Sequence, residues 1–254
     1  MNNLVDMLHG APRPAVIEPG GRSIRYDDLQ DRVGALAGGL VDLGLRPRDK
    51  VVLLVPMGVD LYVSLLALFR VGATAVLVDP AGPVQDNLAR ARPVGLIGSP
   101  KAHLLRLTTP ALRGLDLLVS TGFTPLPHRR LSRIHGAPVA PDRSDAPALI
   151  TFTTGTTGRP KMMARSHRFL LAQHRALSGH MALGEADVDL PTLPVFLLHS
   201  LAGGATCVIP DADLRRPEAV EPPKIVSQIQ RHGVTSASGS PAFFAPLARW
   251  LRAE

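Results

Sequence analysis

The chain is poor in cysteine, in aromatic residues and in lysine. Its 254 residues include a single cysteine, Cys207, so no disulfide can form within the chain. This is typical of a protein from a reducing compartment, and we expect a cytoplasmic location. Aromatic residues make up 4% of the chain, and its lysines are Lys50, Lys101, Lys161 and Lys224. The formal net charge of +7 therefore comes mainly from scattered arginines.

Long apolar runs and mixed basic and aromatic runs are also missing from the sequence. Without a run of about 18 apolar residues, no membrane span is expected. The start of the chain lacks the basic and apolar segments of a signal peptide. Without basic residues interleaved with aromatics, nucleic acid is not an expected partner, and an anionic small molecule is favoured.

Short apolar segments alternate with helical patterns along the chain. Segments such as Val51–Val55, Thr74–Val78 and Ala148–Phe152 are typical of strands covered on both faces. The alternation predicts an α/β fold with mostly parallel sheets flanked by helices. A glycine turn between Ala15–Ile17 and Ser23–Arg25 predicts a short hairpin, and a short strand is predicted at Val234-Thr235. Residues 125–147 are rich in proline, arginine and serine, which predicts a boundary near residue 140. We therefore expect subdomains at 1–140 and 141–254, the second beginning with the strand before a glycine-rich loop.

That loop holds the residue types that bind polyphosphate. Its glycines allow close backbone approach, its hydroxyls donate hydrogen bonds, and its lysine supplies positive charge. The predicted phosphate-binding residues are Thr153, Thr154, Gly155, Thr156, Thr157, Gly158 and Lys161. A plain polar turn is the simpler alternative. The P-loop of nucleotide triphosphatases is excluded, because Pro160 precedes the lysine and Met162 follows it in place of Ser or Thr.

The loop resembles the signature of the adenylate-forming family, which contains acyl-CoA synthetases, luciferases and peptide-synthetase adenylation domains. That signature reads Thr-Ser-Gly-(Ser/Thr)-Thr-Gly-x-Pro-Lys-Gly, and the chain departs from it at Thr154 and Met162. The resemblance continues in Tyr26–Leu29, in Val78-Asp79-Pro80 and in Ser240-Pro241-Ala242. The stretch Val208–Asp213 is similar to the branch with olefin β-lactone synthetases and long-chain fatty-acyl ligases.

The resemblance implies that a fatty or hydroxy-fatty acid reacts with ATP to give acyl-AMP and pyrophosphate. ATP and a carboxylic acid are the implied ligands, and Mg²⁺ is the implied cofactor. In the family, further functional residues lie C-terminal to the matched motifs. They are the magnesium-binding glutamate, a ribose-binding aspartate and a catalytic lysine. We therefore expect this stretch to be the N-terminal portion of such a ligase, inactive or weakly active alone, and we assign no catalytic residue.

The resemblance also suggests residues for the acyl pocket. Phe196 and His199 fall where the family lines that pocket, although an ordinary core or surface histidine is the favoured interpretation of His199. Asp187 and Asp189 are interpreted as solvated turn residues. No metal site is predicted, because His167 and His174 have no Cys or carboxylate partner at ligand spacing.

Three alternatives stay open at the level of sequence. The chain could be half of a split ligase whose partner supplies the remaining half, and an apolar surface near Phe243, Phe244 and Trp250 would support this. It could be a non-catalytic module that binds nucleotide or acyl ligand. It could also be a truncated, poorly folding product.

Overall fold

The structure, a computed structural model with side chains, describes residues 3–8, 10–80, 82–153 and 160–253. Contacts between Cα atoms divide the chain into two compact units. The first unit comprises Met1–Asp6, Asp31–Pro56 and Asp60–Ala172. The second unit comprises Met7–Gln30, Met57–Val59 and Gln173–Glu254.

The helices follow the apolar periodicity of the sequence. Those in the described ranges are α1 (Tyr26–Asp42), α2 (Val59–Val71), α3 (Val84–Ala91), α4 (Pro100–Thr108), α5 (His167–Ser178), α6 (Pro194–Gly203), α7 (Pro222–His232) and α8 (Pro241–Leu251). In α3, Leu88 and Ala91 are buried whereas Arg90 is exposed, as expected for an amphipathic helix on a sheet. Helix α4 is capped by Ser99, whose hydroxyl accepts the Ala102 N–H at 3.3 Å.

The strands form one sheet in each unit. In chain order they are β1 (Pro14–Ile17), β2 (Ser23–Arg25), β3 (Lys50–Leu54), β4 (Thr74–Leu77), β5 (Gly95–Gly98), β6 (Leu117–Ser120), β7 (Arg129–Arg130), β8 (Pro147–Thr153), β9 (Lys161–Ser166), β10 (Val188–Pro191), β11 (Thr206–Val208) and β12 (Ser236–Ser238).

The sheet of the first unit has the strand order β7-β6-β5-β3-β4-β8-β9. All neighbouring strands are parallel except β8 and β9, which are antiparallel. Val52 lies opposite Val76 of β4 on one side and Leu96 of β5 on the other. These three side chains belong to one buried core cluster, together with Leu88 of α3 and Ile150 of β8. Four of the five residues of β3 are buried, as an unbroken apolar run predicts for a strand covered on both faces.

The sheet of the second unit has the strand order β12-β10-β11-β1-β2. Strands β1 and β2 form the predicted hairpin and pair antiparallel, whereas β1 pairs with β11 in parallel. A separate core cluster contains Leu190, Val220, Ile225, Phe243 and Leu247. Both sheets are mostly parallel and mixed with helices, so the predicted α/β fold class is confirmed.

Several elements differ from the sequence-based expectation. A strand predicted at Val234-Thr235 lies instead at Ser236–Ser238, where β12 pairs with β10. Strand β9 was not expected, because Lys161–Ser166 shows no apolar alternation. Its extended conformation is stabilised by pairing with β8. Strand β10 and helices α4 and α6 were also not expected.

The residue ranges of the two compact units differ from those of the predicted subdomains, 1–140 and 141–254. Strand β8 pairs with β4, so the strand expected to open the second subdomain belongs to the sheet of the first unit. The hairpin β1–β2 pairs with β11 and belongs to the second unit. The proline-rich stretch contains β7 and a short 3₁₀ turn at Leu131–Arg133, both in the first unit.

Candidate phosphate-binding site

Strands β8 and β9 form an antiparallel ribbon whose open end carries the glycine-rich loop. Thr153, the last residue of β8, pairs with Lys161, the first residue of β9. Directly paired residues lie about 5 Å apart between Cα atoms and point to the same face. Both side chains are exposed. The ribbon therefore places the first and last predicted phosphate-binding residues side by side.

The remaining predicted loop residues, Thr154, Gly155, Thr156, Thr157 and Gly158, lie outside the described residues. Their neighbours fix where the loop starts and ends. Strand β8 runs parallel to β4, so Thr153 lies at the carboxyl edge of the parallel part of the sheet. Ligands of open α/β sheets bind beyond this edge. The assignment of the loop to phosphate binding remains a prediction.

A residue that sequence reasoning missed holds the exit of the loop. The Arg90 guanidinium, at the end of α3, donates a hydrogen bond to the Pro160 carbonyl at 2.5 Å. The two residues are 70 positions apart, so no local pattern indicates this contact. A second exposed cation, the Arg90 guanidinium, is therefore bound to the residue that directly precedes Lys161.

The available side chains suit an anion better than a metal ion. Thr153 offers a hydroxyl, and Lys161 and Arg90 offer only N–H donors. Mg²⁺ is bound in proteins by carboxylates, carbonyls and water. Within the described ranges, no three His, Cys, Asp or Glu side chains lie close enough to share a metal ion. The described side chains of the site therefore do not fit Mg²⁺.

His167 begins α5, directly after β9, at the end of the ribbon that lies opposite the loop. Its ring packs edge-to-face on Phe69, with 5.1 Å between ring centroids. Burial lowers the pKa of His167 to about 4, although the nearby carboxylates of Asp142 and Asp6 act in the opposite direction. His167 is therefore neutral at physiological pH and serves as a packing residue here.

The predicted acyl-pocket residues lie on α6, in the second unit. Phe196 is half-buried in the first turn of this helix, and His199 is buried. His199 Nε2 lies 3.3 Å from the Met181 carbonyl, and His199 Nδ1 lies 2.8 Å from His174 Nδ1. Because a carbonyl can only accept, His199 Nε2 donates to Met181, and a second hydrogen bond joins the Nδ1 atoms of His199 and His174. Both nitrogens of His199 are thus engaged within the protein, and its acyl-pocket role stays a prediction.

The interpretation of Asp189 as a solvated turn residue is wrong. Asp189 lies within β10 and is fully buried, and its Oδ2 accepts a hydrogen bond from the Ser200 hydroxyl at 2.6 Å. Burial raises the pKa of this carboxyl, against the hydrogen bonds from Ser200 and Ser236. Asp187 is half-buried and accepts the Gly184 N–H, as expected for a turn. The difference arises because β10 is a central strand of its sheet.

The apolar surface considered for a partner chain is largely covered. Phe243 is buried in the core of the second unit and packs edge-to-face on Phe244, with centroids 5.4 Å apart. Phe244 and Trp250 are half-buried. Among the residues that the structure describes, no helix is long and apolar enough to cross a membrane.

Comparison with known proteins identifies the family. The sequence profile described as "AMP-binding enzyme" matches residues 8–254. The chain therefore belongs to the AMP-binding enzyme family, as its loop and fold indicate.

Two of the similar proteins are olefin β-lactone synthetases. The chain is 35% identical over 238 residues to an olefin β-lactone synthetase of Stenotrophomonas maltophilia, a match covering 89% of the chain and 43% of that protein. The olefin β-lactone synthetase of Xanthomonas campestris pv. campestris is 34% identical, with 91% and 45% covered. The chain thus spans less than half the length of these relatives.

Solved structures agree on the fold. The crystal structure of a long-chain-fatty-acid-CoA ligase from Archaeoglobus fulgidus superposes with a TM-score of 0.82 at 19% identity. That superposition covers 99% of this chain and 54% of the other. At this level of identity it supports the α/β architecture alone.

Proposed function

We propose that this chain forms the nucleotide-binding part of an AMP-forming acid ligase that activates a fatty or hydroxy-fatty acid. The observation that carries the proposal is the pairing of Thr153 with Lys161 at the mouth of a family-specific phosphate loop. The similarity to two olefin β-lactone synthetases supports the acyl substrate class. A β-lactone is the internal ester of a 3-hydroxy acid, and making it requires an activated carboxyl group.

In the proposed reaction, a carboxylate oxygen attacks the α-phosphorus of ATP. The bond from that phosphorus to the bridging oxygen breaks, and its electron pair leaves with pyrophosphate. Lys161 and the Thr153 hydroxyl would contact the β- and γ-phosphates, where the negative charge increases. Arg90 would act as a positioning residue, because it fixes the carbonyl of Pro160 directly before Lys161. None of these three residues is proposed to transfer a proton.

The first test is ATP binding by the purified 254-residue chain, measured by calorimetry. We expect Lys161→Ala to weaken ATP binding about tenfold or more, because an ammonium contact to phosphate is lost. Lys101→Ala is the matched control, since Lys101 is also exposed in the first unit but lies on α4. Equal ATP affinity for the wild type and both variants would contradict the assignment of the loop.

The second measurement is acyl-dependent exchange of pyrophosphate into ATP, with fatty and 3-hydroxy fatty acids of several lengths. Exchange that Lys161→Ala abolishes would identify this chain as an active ligase. ATP binding without exchange would support a binding part whose chemistry needs further residues, including those of a protein partner. Exchange with aromatic or short acids alone would exclude the proposed acyl substrate.

A further inference from the structure

A basic cavity lies in the first unit, beside the edge strand β7. Its volume is about 740 Å³. The basic and aromatic residues that line it are Phe123, His128, Arg129, Arg130, Arg133 and His135. Small-molecule sites typically have volumes of about 300–1,000 Å³, so this cavity is large enough for a complete ligand.

The positive charge of the basic cavity is not neutralised by the protein. The residues that line it include three arginines, Arg129, Arg130 and Arg133, and one acidic residue, Asp42. In the part of the chain that the structure describes, no carboxylate lies within ion-pairing distance of these three arginines. Guanidinium groups match phosphate oxygens with two parallel hydrogen bonds, whereas water or a single carboxylate leaves donors free. This chemistry favours a ligand with several phosphate charges.

One wall of the cavity is fixed by close packing on helix α1. The Gly136 N–H donates to the Ala35 carbonyl at 2.9 Å. A Cβ atom at Gly39 would lie 2.7 Å from Ile134 Cγ2 and 2.8 Å from the His135 nitrogen. Only a glycine permits this approach, and it holds the segment that carries Arg133 and His135 in place. A site held in this way loses little conformational entropy on binding.

Phe123 adds an apolar face to the basic cavity. It follows β6 at the carboxyl edge of the sheet, and 73% of its surface is exposed. An aromatic side chain left in solvent beside arginines is typical of recognition surfaces. Aromatic side chains stack on the bases of nucleotides without sequence preference. The ring would distinguish a nucleotide from an inorganic phosphate chain.

The basic cavity is separate from the phosphate loop of the proposed ligase site. Strand β7 is one edge of the seven-stranded sheet, and β9 is the other. Six strand spacings of about 4.8 Å place the two edges about 29 Å apart. One ATP molecule bound at the loop therefore cannot account for the unpaired arginines at β7.

We propose that the basic cavity is a second anion site that binds a small polyphosphate ligand. The ligand is either an inorganic polyphosphate or the phosphate chain of a nucleotide. Arg129, Arg130 and Arg133 bind the phosphates, and Phe123 packs on the base when the ligand is a nucleotide.

The test measures binding of sodium tripolyphosphate and of ADP by calorimetry at low salt, about 50 mM, where charge contacts are least screened. The background is the Lys161→Ala chain, which weakens the loop site. We expect Arg129→Gln/Arg130→Gln/Arg133→Gln to weaken tripolyphosphate binding about tenfold or more, since charge-assisted contacts are lost. The matched control is Arg231→Gln/Arg249→Gln/Arg252→Gln, which removes the same charge from exposed positions of the second unit. Circular dichroism establishes that both triple variants are folded.

Each result decides for or against the proposal. Equal weakening in the two triple variants, or no weakening in either, would overturn it, because binding would then reflect overall charge or another site. Arginine-dependent binding of a single-stranded oligonucleotide without binding of tripolyphosphate or ADP would also overturn it. If only the cavity variant loses binding, Phe123→Ala separates the two ligands. Loss of ADP affinity alone identifies a nucleotide, and unchanged affinity for both identifies the inorganic chain.

Discussion

At the scale of single residues, His167 couples the stability of the first unit to pH. Its pKa is about 4 in the folded protein and 6.5 as a free side chain, because burial disfavours the imidazolium. The unfolded chain therefore binds a proton more readily than the folded chain between these two values. Stability is complete above pH 6.5 and decreases as the pH falls toward 4.

We expect this histidine to lower the free energy of unfolding by about 2 kcal/mol between pH 7.5 and pH 5. Urea denaturation followed by circular dichroism at both pH values measures the change. His167→Leu should remove about this much of the pH dependence, and the exposed residue His180, changed to Leu, is the control. If His167→Leu keeps the full pH dependence of the wild type, His167 does not carry the effect.

Residue types near the loop could be predicted from sequence, but their contacts could not. Thr153 and Lys161 were predicted because hydroxyl and ammonium groups flank glycines at a family-specific spacing. Arg90 was missed because its contact with Pro160 depends on how α3 packs beside the ribbon. Asp189 was misread because an aspartate near glycine and proline usually marks a turn, whereas here it is buried in a strand and its Oδ2 accepts a hydrogen bond from the Ser200 hydroxyl.

At the scale of elements, helix α1 depends on small residues where another segment crosses it. A Cβ at Gly38 would lie 2.0 Å from the Ala137 carbonyl oxygen, a backbone atom that cannot rotate away. At Gly34, the nearest atom to a Cβ would be a side-chain carbon of Pro138 at 3.4 Å. Two glycines of one helix therefore tolerate a methyl group very differently.

We expect Gly38→Ala to lower the free energy of unfolding by about 1–3 kcal/mol through steric overlap. Gly34→Ala should instead be neutral or stabilise by up to about 1 kcal/mol, since alanine favours the helix. Urea denaturation measures the free energy of unfolding of the two variants, which have the same amino-acid composition. Equal effects of the two substitutions would contradict the close packing at Gly38.

Element positions follow the sequence most closely where apolar runs are long. Strands β3 and β4 agree with prediction to within a residue, because a buried strand needs an unbroken apolar run. Strand β9 could not be predicted in this way, since its exposed Met162 and Met163 lie on an edge where one side of the ladder is open. Its conformation is set by β8.

At the scale of the whole molecule, Cys207 is a built-in probe of the second unit. It is buried in β11, opposite Val16 of β1, and burial raises the pKa of its thiol well above the usual range. The thiolate is the reactive form, so the folded protein should react very slowly with thiol reagents. Because the chain holds no other cysteine, modification reports on this sheet alone.

We expect thiol labelling by a maleimide, at neutral pH, to be negligible in native buffer and to rise through the urea transition. Mass spectrometry of the intact chain counts the modification. The labelled fraction should follow the circular-dichroism transition of the second unit. Complete labelling within minutes in native buffer would show that β11 opens without unfolding.

The overall α/β class was predictable from the alternation of apolar runs, but the grouping of strands into sheets was not. Strand β8 pairs with β4 although three strands lie between them in the sequence, and β1 pairs with β11 near the other end of the sequence. Such pairings depend on how packed helices bring distant strands together. No local pattern encodes them, and the predicted boundary near residue 140 therefore does not follow the sheets.

The long separation of β1 and β11 affects how the protein emerges from the ribosome. The Thr206 hydroxyl donates to the Pro14 carbonyl, and these residues are 192 positions apart. At about 5–20 residues per second, translation takes on the order of 10–40 s to supply the parallel neighbour of β1. A two-stranded hairpin is marginally stable alone, so during this time its strand edge remains open to chaperones and to other nascent chains. Among the strands that the structure describes, β1 is thus made first and is one of the last to be completed.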